Sequence, residues 1–262
     1  MSRSNLTSST PHPCVRWFES QGQEGKIFYY DREKKEKVTA SHPFAFLLLD
    51  ELAVVRGWHE ASQSGIISNE VRDTRQEVFV VKTYGGIEIA SGHYAMIRDK
   101  LAASGGGYHA SLYIAFRDAD GSLKIGNLNL RGAALSAWLE FRKEQRKNIV
   151  EVDGKKIPAI YAKAICIKDW KDGKKGSIKF KSPVFAISEV KPETAQEAVE
   201  LDRQLQEYLT EYFKRRKAEA PARRPDESTQ QDAPVESQSS PEPEPEPAEM
   251  ASEETAGDEV PF

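Results

Sequence analysis

The chain has very little of what most catalytic sites are made from. Its five histidines, at 12, 42, 59, 93 and 109, include no pair at metal-ligand spacing, and "HEASQ" at 59–63 lacks the second histidine of a zinc-binding helix. The two cysteines in 262 residues, Cys14 and Cys166, stand far apart with no neighbouring ligand pattern. That excludes a disulfide framework or zinc cluster and fits plain thiols in a reducing compartment. No glycine-rich loop ends in Gly-Lys-Ser/Thr, and no serine is flanked as in a nucleophile elbow. The "EKK" at 33–35 has an acid and a lysine at nuclease-like spacing, but it lies within a turn and lacks a preceding Pro-Asp. Long apolar runs are missing too. The longest, "PFAFLLL", is far too short to span a bilayer, and "MSRSNLTSSTPHP" has no signal-peptide core. The expectation is a soluble cytoplasmic protein that is not an enzyme, with no catalytic residue, metal, cofactor or membrane partner.

What is present is distributed unevenly. From Ala218 onward there are thirteen acidic residues and two basic ones, a net −11, so the overall −4 hides a body of 35 basic and 28 acidic residues. Such a basic body attracts polyanions, and its own acidic tail competes for the same surface. The tail holds eight of the fourteen prolines and a single aromatic, Phe262. It cannot bury enough apolar area to offset its ordering entropy, and disorder is expected, with "PEPEPEP" stiff and extended.

Along the body, "KIFYY" and "KVTA" read as strands around the turn "DREKKE"; in "FAFLLLDELAVVRGW" helix and strand compete, and its later β-branched content favours a longer strand. "SGIISNEVRDTRQ" reads as a loop, and "EVFVVKTYGGIEIAS" as a hairpin about Gly85 and Gly86. Helices are expected in "GHYAMIRDKLAASGGG", with Tyr94, Ile97 and Leu101 on one stripe, and in "RGAALSAWLEFRKEQRK". Between them "YHASLYIAFRDADGSLKIGNLNL" alternates as a hairpin with one buried and one open face. A further hairpin surrounds "KDGKKG". The final helix would begin at a capping box of Thr194 and Glu197, and its stripe runs from Leu201 to Phe213. It packs on its own body or across a homo-oligomer. The fold class is therefore mainly β with helices (α+β): an elaborated OB-fold-like barrel, a small Greek-key barrel with a helix between its third and fourth strands. Residues 1–16 are expected to be unstructured and 17–217 to form the domain. Residues 218–257 would be a linker and 258–262 a terminal tip.

Basic and aromatic residues interleave on the predicted faces as single-stranded nucleic acid requires, with cations along the phosphates and rings against the bases. Tyr113, Arg117 and Lys124 come from the central hairpin, and Lys82 and Tyr84 from the neighbouring strand and its exit. Arg72 and Arg75 come from the preceding loop, and Lys26, Tyr30 and Arg32 from the first hairpin. Trp58, beside a loop, completes the set.

The ending "DEVPF" resembles the C-terminal tip of bacterial single-stranded DNA-binding proteins, in which acids run into Ile-Pro-Phe. Asp258 and Glu259 match the acids, Val260 the isoleucine, and Pro261 and Phe262 the last two residues. "YYDREKKEKV", "SGIISNEVR", "SLYIAFRDADG", "IGNLNLRGAALSAW" and "AVELDRQLQEYL" are similar to phage-encoded members of that function class, over most of 26–209. Gly257 and a Pro/Glu-rich linker depart from the bacterial pattern. The resemblance implies sequence-tolerant single-stranded DNA binding in a bacterial host cell, at the nucleoid. It also implies recruitment of replication, recombination and repair enzymes by the tip. Two rivals stand beside it: an interaction protein that mimics the tip without binding DNA, and a nuclease or annealing enzyme delivered by it.

Overall fold

Short alternating segments separated by polar turns give a strand-dominated chain. The computed structural model, which describes residues 11–219 except Asp153, is mainly β with four helices among those residues. The strands are β1 (Arg16–Gln21), β2 (Lys26–Asp31), β3 (Glu36–Thr39), β4 (Phe44–His59), β5 (Ser64–Ser68), β6 (Phe79–Thr83) and β7 (Glu88–Gly92), followed by β8 (Gly106–Arg117), β9 (Leu123–Leu130), β10 (Ile149–Val152), β11 (Lys155–Pro158), β12 (Ala164–Lys175) and β13 (Ile178–Ser188). The helices are α1 (Tyr94–Ala103), α2 (Gly132–Gln145), α3 (Ala159–Ala162) and α4 (Pro192–Glu219).

Eleven strands share one mixed sheet, in the order β3-β2-β1-β9-β8-β4-β5-β6-β7, with β12 and β13 branching off the start of β4. The path is open among the described residues: β3 and β7 form its two ends and do not pair. β1 runs parallel to β9, and the other pairings are antiparallel. The sixteen-residue β4 is the spine. It pairs with β8 along one edge, and with β12 at its start and β5 at its end along the other. A bulge between Leu48 and Asp50 shifts its register against β8. Near its end Gly57 passes so close to the backbone of Gly105 that a Cβ would stand 2.0 Å from that carbonyl, and only glycine fits.

Three helices pack on one face of this sheet. Trp138 and Phe141 of α2 and Ile160 of α3 join Phe18, Phe46, Leu112, Ile114, Phe116 and Leu128 in one core. Tyr94, Ile97 and Leu101 of α1 join Val55, Ile66, Phe79 and Val81 in a second. On the opposite face α4 lies alone, and Leu205 and Leu209 are buried against Leu52, Tyr113, Ile125 and Cys14. Burying each leucine stabilises by about 1.5–3 kcal/mol, which fixes the helix where the stripe predicted an apolar contact.

Several expectations change. β5 occupies the first part of the segment read as a loop, because Ile66 finds a core to enter. Residues 11–16 are not free: Cys14 is buried, and the Val15 N–H donates to the Ile125 carbonyl at 2.9 Å. Thr194 is not a cap, since α4 starts at Pro192 and the Lys191 carbonyl accepts the Ala195 N–H at 3.0 Å. Proline suits that first turn, where its missing N–H costs nothing. The β8–β9 hairpin has no open face at its centre, for α4 covers the side opposite Leu112 and Ile114. The linker beyond α4 and the tip, Asp258 to Phe262, lie outside the described residues.

Candidate nucleic-acid interface

The face that carries α4 is also the one that carries nearly every polar side chain of interest. Cross-strand register places Trp17, Glu19, Phe28, Tyr30 and Lys37 on this face in the first hairpin. In the middle it places Asn127, Asn129, Ser111, Tyr113 and His109, and toward the other end Arg56, Trp58, Ile67 and Lys82. α4 divides this face into a covered and an uncovered part.

Under α4 the polar groups form a chain of internal hydrogen bonds. Tyr113 donates to Glu70 Oε2 at 2.6 Å and Ser111 to Oε1 at 2.7 Å. Asn127 Nδ2 donates to Ser111 at 2.8 Å, and Asn129 Nδ2 to Asn127 Oδ1 at 2.6 Å. The Glu70 N–H donates to the Tyr212 hydroxyl at 2.9 Å. Burial raises the Glu70 carboxyl above its usual range, against the pull of the Tyr113 and Ser111 hydrogen bonds. Burial, then the Glu70 charge, pushes the Tyr113 phenol up as well. Beside them Arg72 grips Asp50 with both terminal nitrogens, at 3.2 and 2.7 Å, and lies 5.6 Å from the Phe213 ring.

This placement corrects part of the sequence reading. Tyr113 is 1 % exposed and cannot stack a base on its ring, because Leu205 and Leu209 occupy the side that alternation left open. Arg72 is committed to Asp50. Lys124 is held by Asp120 at 2.8 Å and Asp118 at 3.1 Å, and these bonds, Asp120 first, raise its ammonium. Arg117 donates to the Gly121 carbonyl at 2.5 Å and to the Thr194 hydroxyl at 3.0 Å, joining the end of β8 to the start of α4. Tyr113, Arg72 and Arg117 are contacts of the half that α4 closes, whereas Lys124, opposite Phe116 in the ladder, stands on the three-helix face.

Other predicted residues do come together. Trp58 and Tyr84, 49 % and 73 % exposed, both neighbour Gly65, which stands opposite Trp58 in the ladder. The edge of the Tyr84 ring comes so close to Gly65 that a Cβ there would be 2.4 Å from it. Exposed Lys82 shares the face, two residues before Tyr84. The first hairpin supplies a second patch on the far side of α4. There Tyr30 is 56 % exposed, Arg32 lies 5.5 Å from the Trp17 ring, and Lys37 Nζ lies 4.8 Å from the Phe28 ring. Lys26 sits at its edge, paired with Glu24 at 3.0 Å, and Arg75 extends from an exposed turn.

Between the patches, past the end of the covered part, lie residues that sequence reasoning missed. Arg56 precedes Trp58 by two positions on β4; His109, its diagonal neighbour on β8, is buried, and so is Asn129 on β9. Arg131 continues the Asn127–Asn129 alternation into the N-cap of α2. Burial, then the charges of Arg56 and Arg131, push His109 down to about 3, so its imidazole is neutral at pH 7. The period-two rule alone would have placed Arg56 with Trp58, and Arg131 with Asn129, had both strands been followed to their ends.

Among the described residues no group of three His, Cys, Asp or Glu side chains is arranged to hold a metal ion, and no helix is long and apolar enough to cross a membrane. No protein-family model matches the chain, and no curated protein or solved structure shows significant similarity to it.

Proposed function

We propose that the protein binds single-stranded DNA without sequence specificity, along the face that carries α4, and recruits replication, recombination and repair enzymes through its acidic tip. The observation that carries the binding half is the pair of exposed rings, Trp58 and Tyr84, both beside Gly65 on the same face as Arg56 and Lys82. Exposed rings beside cations take bases of any identity, because every base has a π-face. A +7 body supplies the long-range attraction. The recruiting half rests on "DEVPF" behind an acidic, proline-rich stretch, and with it comes a cytoplasmic, nucleoid-associated location.

The sheet supports an OB-like ancestry for the core. β4, β5 and β6 precede α1, and β8 and β9 follow it, with β4 paired to both β5 and β8. On this reading the barrel is opened and extended, and the first hairpin, the β12–β13 arm and α4 are additions.

Oligothymidylate titrated into the full chain, with and without magnesium, tests the proposal by tryptophan fluorescence. Binding without cleavage, weakening as salt rises, is the expected result. Absence of binding would leave the tip-mimicking interaction protein, and cleavage in magnesium the nuclease.

A further inference from the structure

We propose that Arg56 and Arg131, positioned by His109 and Asn129, form a subsite for one backbone phosphodiester of a strand whose bases face Trp58 and Tyr84. The inference rests on the reading of this face as the DNA-binding one and adds where the strand is anchored.

The starting point is a concentration of unsatisfied groups. Five buried side-chain polar atoms lack a hydrogen-bond partner among the described residues, and three of them, Arg56 Nε, His109 Nδ1 and Asn129 Oδ1, follow one another across this face on β4, β8 and β9. Buried polar groups are nearly always paired, so three orphans together mark a site that awaits its partner. Their adjacency follows from register. Val54 stands opposite His109 and Arg56 opposite Gly107, which makes Arg56 and His109 diagonal neighbours, roughly 7–8 Å apart at Cα. Asn129 stands opposite Ser111 and Leu130 opposite Ala110, which brings Arg131 alongside His109.

Charge points to the class of ligand. Neither arginine has a carboxylate in ion-pair contact among the described residues. Two acids are near. Glu70 feels the Arg56 charge, but its two oxygens already accept from Ser111 and Tyr113. Glu19, opposite Asn129 on β1, is exposed and bonds to neither arginine. Two guanidiniums flanking a buried neutral imidazole, without a counterion, are complementary to an anion, and guanidinium favours the forked geometry of phosphate oxygens.

The polar chain under α4 has a direction, and that direction assigns the remaining roles. Ser111 donates to Glu70 Oε1, Asn127 Nδ2 to Ser111, and Asn129 Nδ2 to Asn127 Oδ1. Asn129 is left presenting its carbonyl oxygen. It is therefore no phosphate ligand but a positioning residue, and Arg131, two residues along the same face, is the donor it would hold. A phosphate held there lies one step along β4 from Trp58, about 7 Å, the scale on which a backbone phosphate and a stacked base of one strand are separated.

The test uses the full-length chain with oligothymidylate at several salt concentrations, comparing wild type with Arg131→Gln and Arg56→Gln. Arg131 is exposed and its variant leaves the core untouched; thermal melting verifies both. Each variant is expected to bind about tenfold more weakly, and each should flatten the plot of log affinity against log salt by about 0.7, the loss of one phosphate contact. Arg98→Gln, on α1 across the sheet, should change neither. If wild type binds but Arg131→Gln keeps both its affinity and its slope, the subsite is wrong and the DNA-binding reading stands. A second arm follows the His109 imidazole by NMR during addition of inorganic phosphate, with His109→Gln to assign the signal. If wild type binds no DNA, the reading has failed. A His109 response that Arg131→Gln abolishes would then identify a free-phosphate site, and an unmoved signal would overturn the inference as well.

Discussion

Tyr113 gives its hydroxyl proton to Glu70 at 2.6 Å beneath α4, so the ring expected to meet DNA instead ties the sheet to the loop after β5. Tyr113→Phe leaves packing intact and deprives the buried Glu70 side chain of one of its two side-chain donors. A stability loss of about 1–3 kcal/mol is expected in urea unfolding, with unchanged affinity for oligothymidylate. An affinity loss with unchanged stability would show that the ring reaches DNA after all.

Trp58→Ala and Tyr84→Ala should behave in the opposite way. Both rings are largely exposed, so melting temperatures should hardly move. Each loss of stacking should weaken single-strand binding by roughly 1–3 kcal/mol. Gly65→Ala is the subtler variant, because its methyl group displaces the Tyr84 ring without removing it. Its affinity should fall between those of wild type and Tyr84→Ala in the same titration.

His109 makes stability depend on pH in a definite direction. Its folded value, about 3, lies below the ordinary 6.5, so between these limits the unfolded chain binds more protons than the folded one. The stabilisation is complete above pH 6.5 and is lost as pH falls, amounting to about 2 kcal/mol by pH 5. His109→Gln should therefore lose less stability than wild type between pH 7 and pH 5 in denaturant titrations. Parallel curves would show that the proton is accommodated in the fold.

The charge division of the chain predicts two separable truncations. Removing 218–262 takes away −11 and leaves a body of +7. A tethered acidic segment competes with DNA for a basic face at high effective concentration, so its removal should raise DNA affinity, most at low salt. Removing only Val260, Pro261 and Phe262 should leave DNA affinity nearly unchanged and abolish capture of a repair enzyme that binds such tips. Equal gains in DNA affinity from the two truncations would make Phe262 an occupant of the DNA site.

Local patterning was legible where a segment's own periodicity decides its structure. The stripes of α1 and α4 and the alternation of β8 and β9 needed no tertiary information. Tyr113 was misplaced because alternation separates two faces but does not say whether the second is covered. That depends on α4, some ninety residues later in the chain. The pairing of Lys124 with Asp118 and Asp120 was in principle readable from their spacing across the turn, whereas the grip of Arg72 on Asp50 was not. The parallel contact of β1 with β9 is equally invisible from sequence, since Phe18 meets Leu128 only in three dimensions.

The bulge at Leu49 acts on β4 as a phase shift acts on a wave. Before it, Phe44, Phe46 and Leu48 look toward the three-helix side, and after it the same even-numbered rhythm looks the other way, through Leu52 and Arg56 to Trp58. One extra residue thus sets the polarity of everything downstream on the spine. Deleting Leu49 would preserve the composition of the strand yet invert its second half, presenting Val55 to solvent and Trp58 to the core beneath α1. The outward aim of the two aromatic rings is in this sense encoded by a residue that touches neither of them.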